Sequence, residues 1–354
     1  MSVTVRAARI GGGASQRVML PASPWSGLGA DAVLPYFQKF PQARLTLPET
    51  ARLVHTLLAD TAAAAGWDQA ALADTPLMLG STSYALPDCE AEIAERGALS
   101  YSDYTLTGMA ELLRAATGNR QIYTFATSCT SSAQALVHAV RMLENGWSER
   151  ALVVGFESFN RYTFDHFATM NLLAAGDYLP FSGCPGMVLG EGLACLALER
   201  SSPNEKGCRI IATATAADSR DLTNTDPAVL SELIDRCLQQ AGVAADSIRA
   251  VKVHAVGGAG DSGEQAVLRE KLPESRWILA KPYFGHTLGA SGAMESAWLW
   301  QQLQQGALPE IPHAAAYRSL PLAHGAPLAD GLYLNYFLGF GGSTAAWLMR
   351  WSRP

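Results

Sequence analysis

The sequence predicts an α/β protein of stacked layers, built from two halves of similar element order. Three observations predict it. Short apolar runs rich in β-branched residues alternate with long amphipathic helical spacings along the chain. The polar, turn-rich stretch Ser-Ser-Pro-Asn-Glu-Lys-Gly at 201–207 breaks that alternation near the middle. After the break a comparable order of strands and helices resumes, which divides the chain into residues 1–200 and 201–354.

The elements follow in order. Ala51, Leu53, Val54, Leu57 and Leu58 share one face of a helix over 48–66, which Gly66 can end. After Cys129, the series Ala133, Leu136, Val137 and Val140 keeps helical spacing, with Gly146 as terminator. Residues 150–158 and 186–200 read as buried strands, the second with glycines where backbones must approach closely. In the second half, 208–217, 249–256 and 276–281 read as strands, and 227–242 and 291–306 as helices. Residues 331–351 read as two strands around a glycine-rich turn.

Composition narrows the function. Of the 354 residues 49% are apolar and only 16% charged, which excludes a disordered chain. A formal net charge of −6 argues against a broad nucleic-acid footprint. No apolar run approaches the roughly 20 residues of a membrane span, and the start is too short and interrupted for a secretory signal. The six cysteines stand singly, without metal-ligand spacing, which suits a reduced cytoplasm. Cys89, Cys184, Cys195, Cys208 and Cys237 read as small core residues.

Four stretches carry chemistry. Cys129 lies in Thr-Ser-Cys-Thr-Ser-Ser where a helix begins; there, unpaired backbone N–H groups and the helix dipole are expected to lower a thiol pKa. His254 leaves an apolar strand for a glycine-rich loop holding Asp261 and Glu264. Lys281 ends a buried strand five residues before His286, where an unpaired charge is costly, so Glu264 is expected as its partner. Small residues Gly289, Ala290, Ser291 and Gly292 then let a helix approach its neighbours. Phe340 lies among glycines that permit φ > 0 and expose backbone N–H groups.

In this order the motifs resemble those of the elongating β-ketoacyl–acyl carrier protein synthases of the thiolase superfamily. Thr127 to Ser132 matches their nucleophile motif. His254, Gly260, Asp261 and Glu264 match the first histidine stretch. Lys281, Gly285, His286, Gly289, Ala290 and Gly292 match the lysine–histidine motif, and Gly339 to Gly342 the closing loop. The resemblance runs from about residue 48 to the end. Thiolases carry a further cysteine in the closing loop, absent here, and priming synthases have asparagine at the place of His286. The resemblance therefore implies a five-layer αβαβα thiolase fold and decarboxylative condensation. It implies no bound cofactor, the acyl and malonyl groups arriving on the phosphopantetheine of an acyl carrier protein. It also implies a homodimer, or a heterodimer with a second ketosynthase, formed through strands beside the nucleophile helix; 150–158 is the stretch expected to lead there.

The resemblance further implies the roles. Cys129 is the nucleophile. His254 and His286 stabilise the enolate, Lys281 with Glu264 holds them, and the N–H groups of Cys129 and Phe340 form the oxyanion hole, with Phe340 also a gate. The sequence departs from the family at Val256 and Gly258, where two threonines that bind the pantetheine arm are usual. It departs again at Leu179 to Ser182, where arginine and aspartate are missing, and at Thr344, where asparagine is usual. Those departures keep open a chain-length-factor-type partner subunit of a polyketide or aryl-polyene system, and a binding scaffold on the same fold.

Overall fold

The computed structural model describes residues 2–354 except 30, 100–105, 184, 185, 203, 219, 221 and 224. The chain opens with β1 (Ser2–Ile10), then the hairpin β2 (Gln16–Pro21) and β3 (Val33–Gln38). Helix α1 (Leu47–Ala64) begins at a reciprocal cap, in which Thr46 N–H donates to Glu49 Oε2 at 2.8 Å and Glu49 N–H donates back to Thr46 Oγ1. Then come α2 (Ala71–Asp74), β4 (Leu77–Gly80), α3 (Leu86–Arg96), α4 (Thr107–Thr117) and β5 (Ile122–Phe125). The first half ends with α5 (Ser131–Glu144), β6 (Arg150–Glu157), α6 (Arg161–Thr169) and β7 (Gly192–Ser201). The second half runs through β8 (Gly207–Ala217), α7 (Pro227–Ala241), β9 (Ile248–Lys252), α8 (Asp261–Lys271) and β10 (Arg276–Ile278). It closes with α9 (Ser291–Gln305), β11 (Gly331–Leu338) and β12 (Ser343–Ser352).

Ten strands pair in the order β10-β9-β11-β12-β8-β1-β7-β6-β4-β5. Each group of five has the same internal order: third, second, fourth, fifth, first. The directions also match, with β4 parallel to β5 and β6 as β9 is to β10 and β11, and the remaining pairs antiparallel. Among the described strands, the groups join where Val3 and Thr4 of β1 pair with Ile210 and Arg209 of β8.

Helices α5 and α9 pack against each other between the two groups, α1 covers β1, β6 and β7 from outside, and α7 covers β8 and β12. That gives helix, sheet, helix, sheet, helix. The central core draws Val3, Leu136 and Leu196 from one half and Phe337 and Trp347 from the other. Gly292 makes the central contact possible, because a Cβ there would lie 2.2 Å from Ala133 N.

The structure departs from the sequence expectations in several places. Residues 186–191 are not strand. Their backbone is taken up by single bridges, Met187 to Leu173, Leu189 to His286 and Gly190 to Phe37, which hold this segment between cap and core. Helix α8 starts at Asp261, so Asp261 and Glu264 lie in its first turn rather than in a loop. Strand β6 is buried between β4 and β7, so 150–158 is not itself an edge that could pair with a partner; among the described strands β5 and β10 end the sheet. Cys195, Cys208 and Cys237 are buried and Cys89 is half-buried, whereas Cys184 lies outside the described residues. No described helix is long and apolar enough to cross a membrane.

Candidate active site

Cys129 sits on a tight turn between β5 and α5, after Ser128 in the left-handed region at φ 53°. The small hydroxyl residues hold that turn. Ser131 Oγ donates to Ser128 O at 2.7 Å and accepts from Thr127 N at 3.0 Å, while Thr130 Oγ1 donates to Thr127 O at 2.6 Å. Thr130 Oγ1 also lies 2.9 Å from Ser343 Oγ, tying the turn to the start of β12. Helix α5 begins only at Ser131, and burial pushes the Cys129 thiol up to about 12. A backbone hydrogen bond from Phe340 and the charge of Lys281 pull it down without overcoming burial. The lowered pKa expected for a helix start is therefore corrected: desolvation outweighs the helix.

His254 lies two residues beyond β9, and its backbone is gripped by α8. Glu264 Oε1 accepts from His254 N at 2.7 Å, and Ala255 N reaches both Glu264 oxygens at 3.0 and 3.1 Å. Tyr336 OH donates to Glu264 Oε1 as well. Asp261 accepts from Gly257 N at 3.1 Å and from Phe181 N at 2.7 Å, which anchors the divergent Leu179 to Ser182 stretch through its backbone.

His286 N donates to Val188 O at 2.7 Å, and its Nδ1 lies 3.3 Å from Ser291 Oγ. The two imidazoles meet edge to face, with centroids 5.6 Å apart. Burial, reinforced by the Lys281 and Lys252 charges, drives both well below the ordinary histidine range. His254 Nδ1 is buried and has no hydrogen-bond partner among the described residues.

Lys281 does not pair with Glu264. Its Nζ donates to His254 O at 2.5 Å and ion-pairs with Glu295 at 2.8 Å. Glu264 is committed to backbone N–H groups and a tyrosine, and its carboxyl is pushed up to about 7 by burial and then by Asp261. Glu295, fully buried on α9, also pairs with Lys252 at 2.7 Å. Sequence reasoning missed both Glu295 and Lys252. The available signal was a pair of charges inside otherwise apolar runs, on β9 and α9.

Phe340 stacks on Phe167 at 5.5 Å on the turn between β11 and β12. Gly341 and Gly342 take φ of 78° and 79°, and a Cβ on Gly342 would lie 1.6 Å from Asp218 O. The turn is fastened to the 218–222 segment by Asp218 N to Gly342 O at 2.8 Å and Gly341 N to Leu222 O at 2.9 Å. Cys129, His254, His286, Glu264 and Phe340 all border one cleft of about 810 Å³, including its open mouth. Lys281 stands behind it. Val256, Gly258, Thr223 and Thr225 form part of the remaining wall.

Cys129, on a turn entered through the left-handed Ser128, thus borders the same mostly apolar cleft as the two imidazoles. Two family models match, the β-ketoacyl synthase N-terminal domain over 31–204 and its C-terminal domain over 208–315. The chain belongs to the β-ketoacyl synthase family. It is 31% identical over 206 residues to an iterative polyketide synthase of Emericella nidulans, covering 52% of this chain and 7% of that protein. It is 28% identical over 250 residues to a 3-oxoacyl-[acyl-carrier-protein] synthase 2 of Mycobacterium tuberculosis, covering 64% of this chain and 60% of that one. A β-ketoacyl synthase from Burkholderia phymatum superposes with TM-score 0.83 at 18% identity, covering 99% of this chain and 100% of that one. A ketosynthase in complex with its chain length factor from Xenorhabdus doucetiae superposes with TM-score 0.80 at 17% identity, covering 99% and 98%.

Proposed function

We propose that this chain is an active β-ketoacyl synthase of type II fatty acid or polyketide-like synthesis, working in the cytoplasm. The observation that carries the reading is the convergence of Cys129, His254, His286 and Phe340 on one cleft. The Cys129 thiol gives its proton to a neutral imidazole of the histidine pair as its sulfur attacks the carbonyl of an acyl thioester carried on the phosphopantetheine of an acyl carrier protein. The imidazolium returns that proton to the departing sulfur. A new C–S bond forms, the old one breaks, and pantetheine thiol leaves with the proton. The malonyl thioester then loses carbon dioxide, and the electrons of the broken C–C bond form an enolate. Neutral His254 and His286 donate N–H groups to its oxygen. The enolate carbon attacks the acyl–Cys129 carbonyl, and the C–S bond breaks to restore the cysteine. The N–H groups of Cys129 and Phe340 receive the oxyanion, and Phe340 gates the acyl pocket. Lys281, through His254 O, holds the first histidine in place.

Val256 and Gly258 offer no hydroxyl to the pantetheine arm, which favours the chain-length-factor-type alternative. Thr223 and Thr225 face the same cleft from the segment before α7, and in the proposed synthase they supply those hydroxyls. Two further assignments go with the reading. The halves divide at 201–207, and the β5 edge receives a second ketosynthase chain, identical or different. Intact-mass spectrometry of the chain alone, after incubation with a medium-chain acyl carrier protein, tests the nucleophile. Wild type is expected to gain the acyl mass and Cys129→Ala is not. A wild type left unmodified overturns independent synthase activity and favours the partner-subunit reading.

A further inference from the structure

Lys252 is an anomaly that the condensation chemistry does not use. It is fully buried, with its Nζ 2.7 Å from Glu295, 3.0 Å from Tyr336 O and 3.4 Å from the centroid of Phe337. Its own strand and three neighbouring segments meet there. Strand β9 carries it, α9 presents Glu295, the turn after β10 presents Lys281, and β11 presents a carbonyl and a ring. Glu264, on α8, adds a more distant carboxyl. Two ammonium groups thus share one carboxylate in the dry centre of the molecule. Lys281 is bonded to the backbone of His254, and Lys252 ends β9 two residues before that histidine.

We propose that Lys252 is a positioning residue of the site. It shares Glu295 with Lys281, leaves that lysine–glutamate cluster at +1 behind the histidine pair, with Glu264 as a further carboxyl, and so adds to the burial that keeps His254 and His286 neutral. The charge count makes the argument. Lys281 with Glu295 alone is neutral as a pair; adding Lys252 leaves +1. A positive charge in a low-dielectric interior opposes protonation of both imidazoles, and a neutral imidazole can donate from one nitrogen while accepting at the other. Burial is the first cause of the downward shift of both histidines, and the charges of Lys281 and then Lys252 add to it in the same direction. The same ammonium also fixes Tyr336 O, four residues before Phe340, so it braces the strand that leads into the oxyanion turn.

This inference rests on the histidines acting as the enolate-binding pair, but its test does not require turnover. Imidazole-nitrogen NMR of the full chain, labelled at histidine and titrated from pH 5 to 8, reads protonation directly; His254→Gln and His286→Gln assign the signals. Wild type is expected to show both rings neutral throughout. Lys252→Met, which brings the local charge to zero, is expected to move both midpoints upward into the range. Lys252→Gln keeps a donor for Tyr336 O and is expected to do the same, which covers a methionine variant that fails to fold. Adding Glu295→Gln to either variant restores +1 and is expected to restore the neutral rings. Where turnover is measurable, the acid limb of malonyl decarboxylation moves with the midpoints. Midpoints unmoved by the single substitutions, or not restored in the double variants, overturn the proposal even if the chain condenses substrate.

Discussion

Glu157 shows at the scale of one residue how much burial alone decides. It is fully enclosed at the end of β6, and its carboxyl is pushed up from 4.5 to about 7, first by desolvation. Thr82 N, Thr82 Oγ1 and Gly289 N all bond one oxygen, Oε2, at 2.8 to 3.0 Å. A carboxyl raised in the folded state favours folding while protonated, and that contribution is lost as pH climbs from 4.5 through about 7. A glutamine keeps one acceptor for the three donors and removes the charge. Glu157→Gln is thus expected to remove the loss of up to about 3 kcal/mol that wild type shows over that window, read by urea unfolding at pH 5 and pH 8. Equal losses for both proteins across the window would show that the carboxyl does not titrate there. The residues that border the cleft were legible in the sequence, because a cysteine in a hydroxyl-rich turn and a histidine at a strand end are local patterns. The partner of Lys281 was not. Glu295 lies 14 residues further on, inside a helix that reads as apolar, and only the α9 packing brings it back to the lysine.

Among elements, the crossing of α5 and α9 sets the site. One helix follows Cys129 and the other carries Ser291 and Glu295, so their separation fixes how far the ion pairs lie from the thiol. Gly292 sits where a Cβ would meet Ala133 N at 2.2 Å, a backbone atom that cannot step aside. Gly341 has nothing within 4 Å of such a Cβ and costs only its φ of 78°. Gly292→Ala is expected to lose about 3 kcal/mol or more through overpacking, and Gly341→Ala about 1 kcal/mol through left-handed strain. Thermal unfolding of the two variants side by side measures this, and equal losses would mean the helices can separate freely. Periodicity made both helices legible, and the run of small residues signalled the close approach. It did not place β1 in the middle of the sheet, because pairing to β7 and β8 joins residues almost 200 positions apart. Nor did it separate 186–191 from β7, since an apolar stretch held by single bridges has the composition of a strand.

The whole molecule poses the question of its two sheet edges. At β10, Trp277 N donates to Pro321 O and Ala323 N to Trp277 O, so the chain itself caps the second half. At β5 no described strand pairs outward, and Tyr123 is 42% exposed on the strand that leads to Cys129. An uncovered strand edge beside a packed core invites another strand. The matched order of the two groups of five was foreshadowed by the repeat of element order, but which edge stays open depends on strand order, which no local pattern encodes. That is why the buried β6, with its strong strand signature, drew the interface expectation instead. If β5 meets β5 of a second copy, light scattering of the wild type should give twice the chain mass. Tyr123→Asp, which sets two like charges against each other across the junction, should then give the single-chain mass with the fold retained by circular dichroism. A dimeric variant would move the junction elsewhere on the surface. A monomeric wild type would sink self-pairing, and the same edge, tested by mixing with a second ketosynthase chain, would then have to accept a different partner.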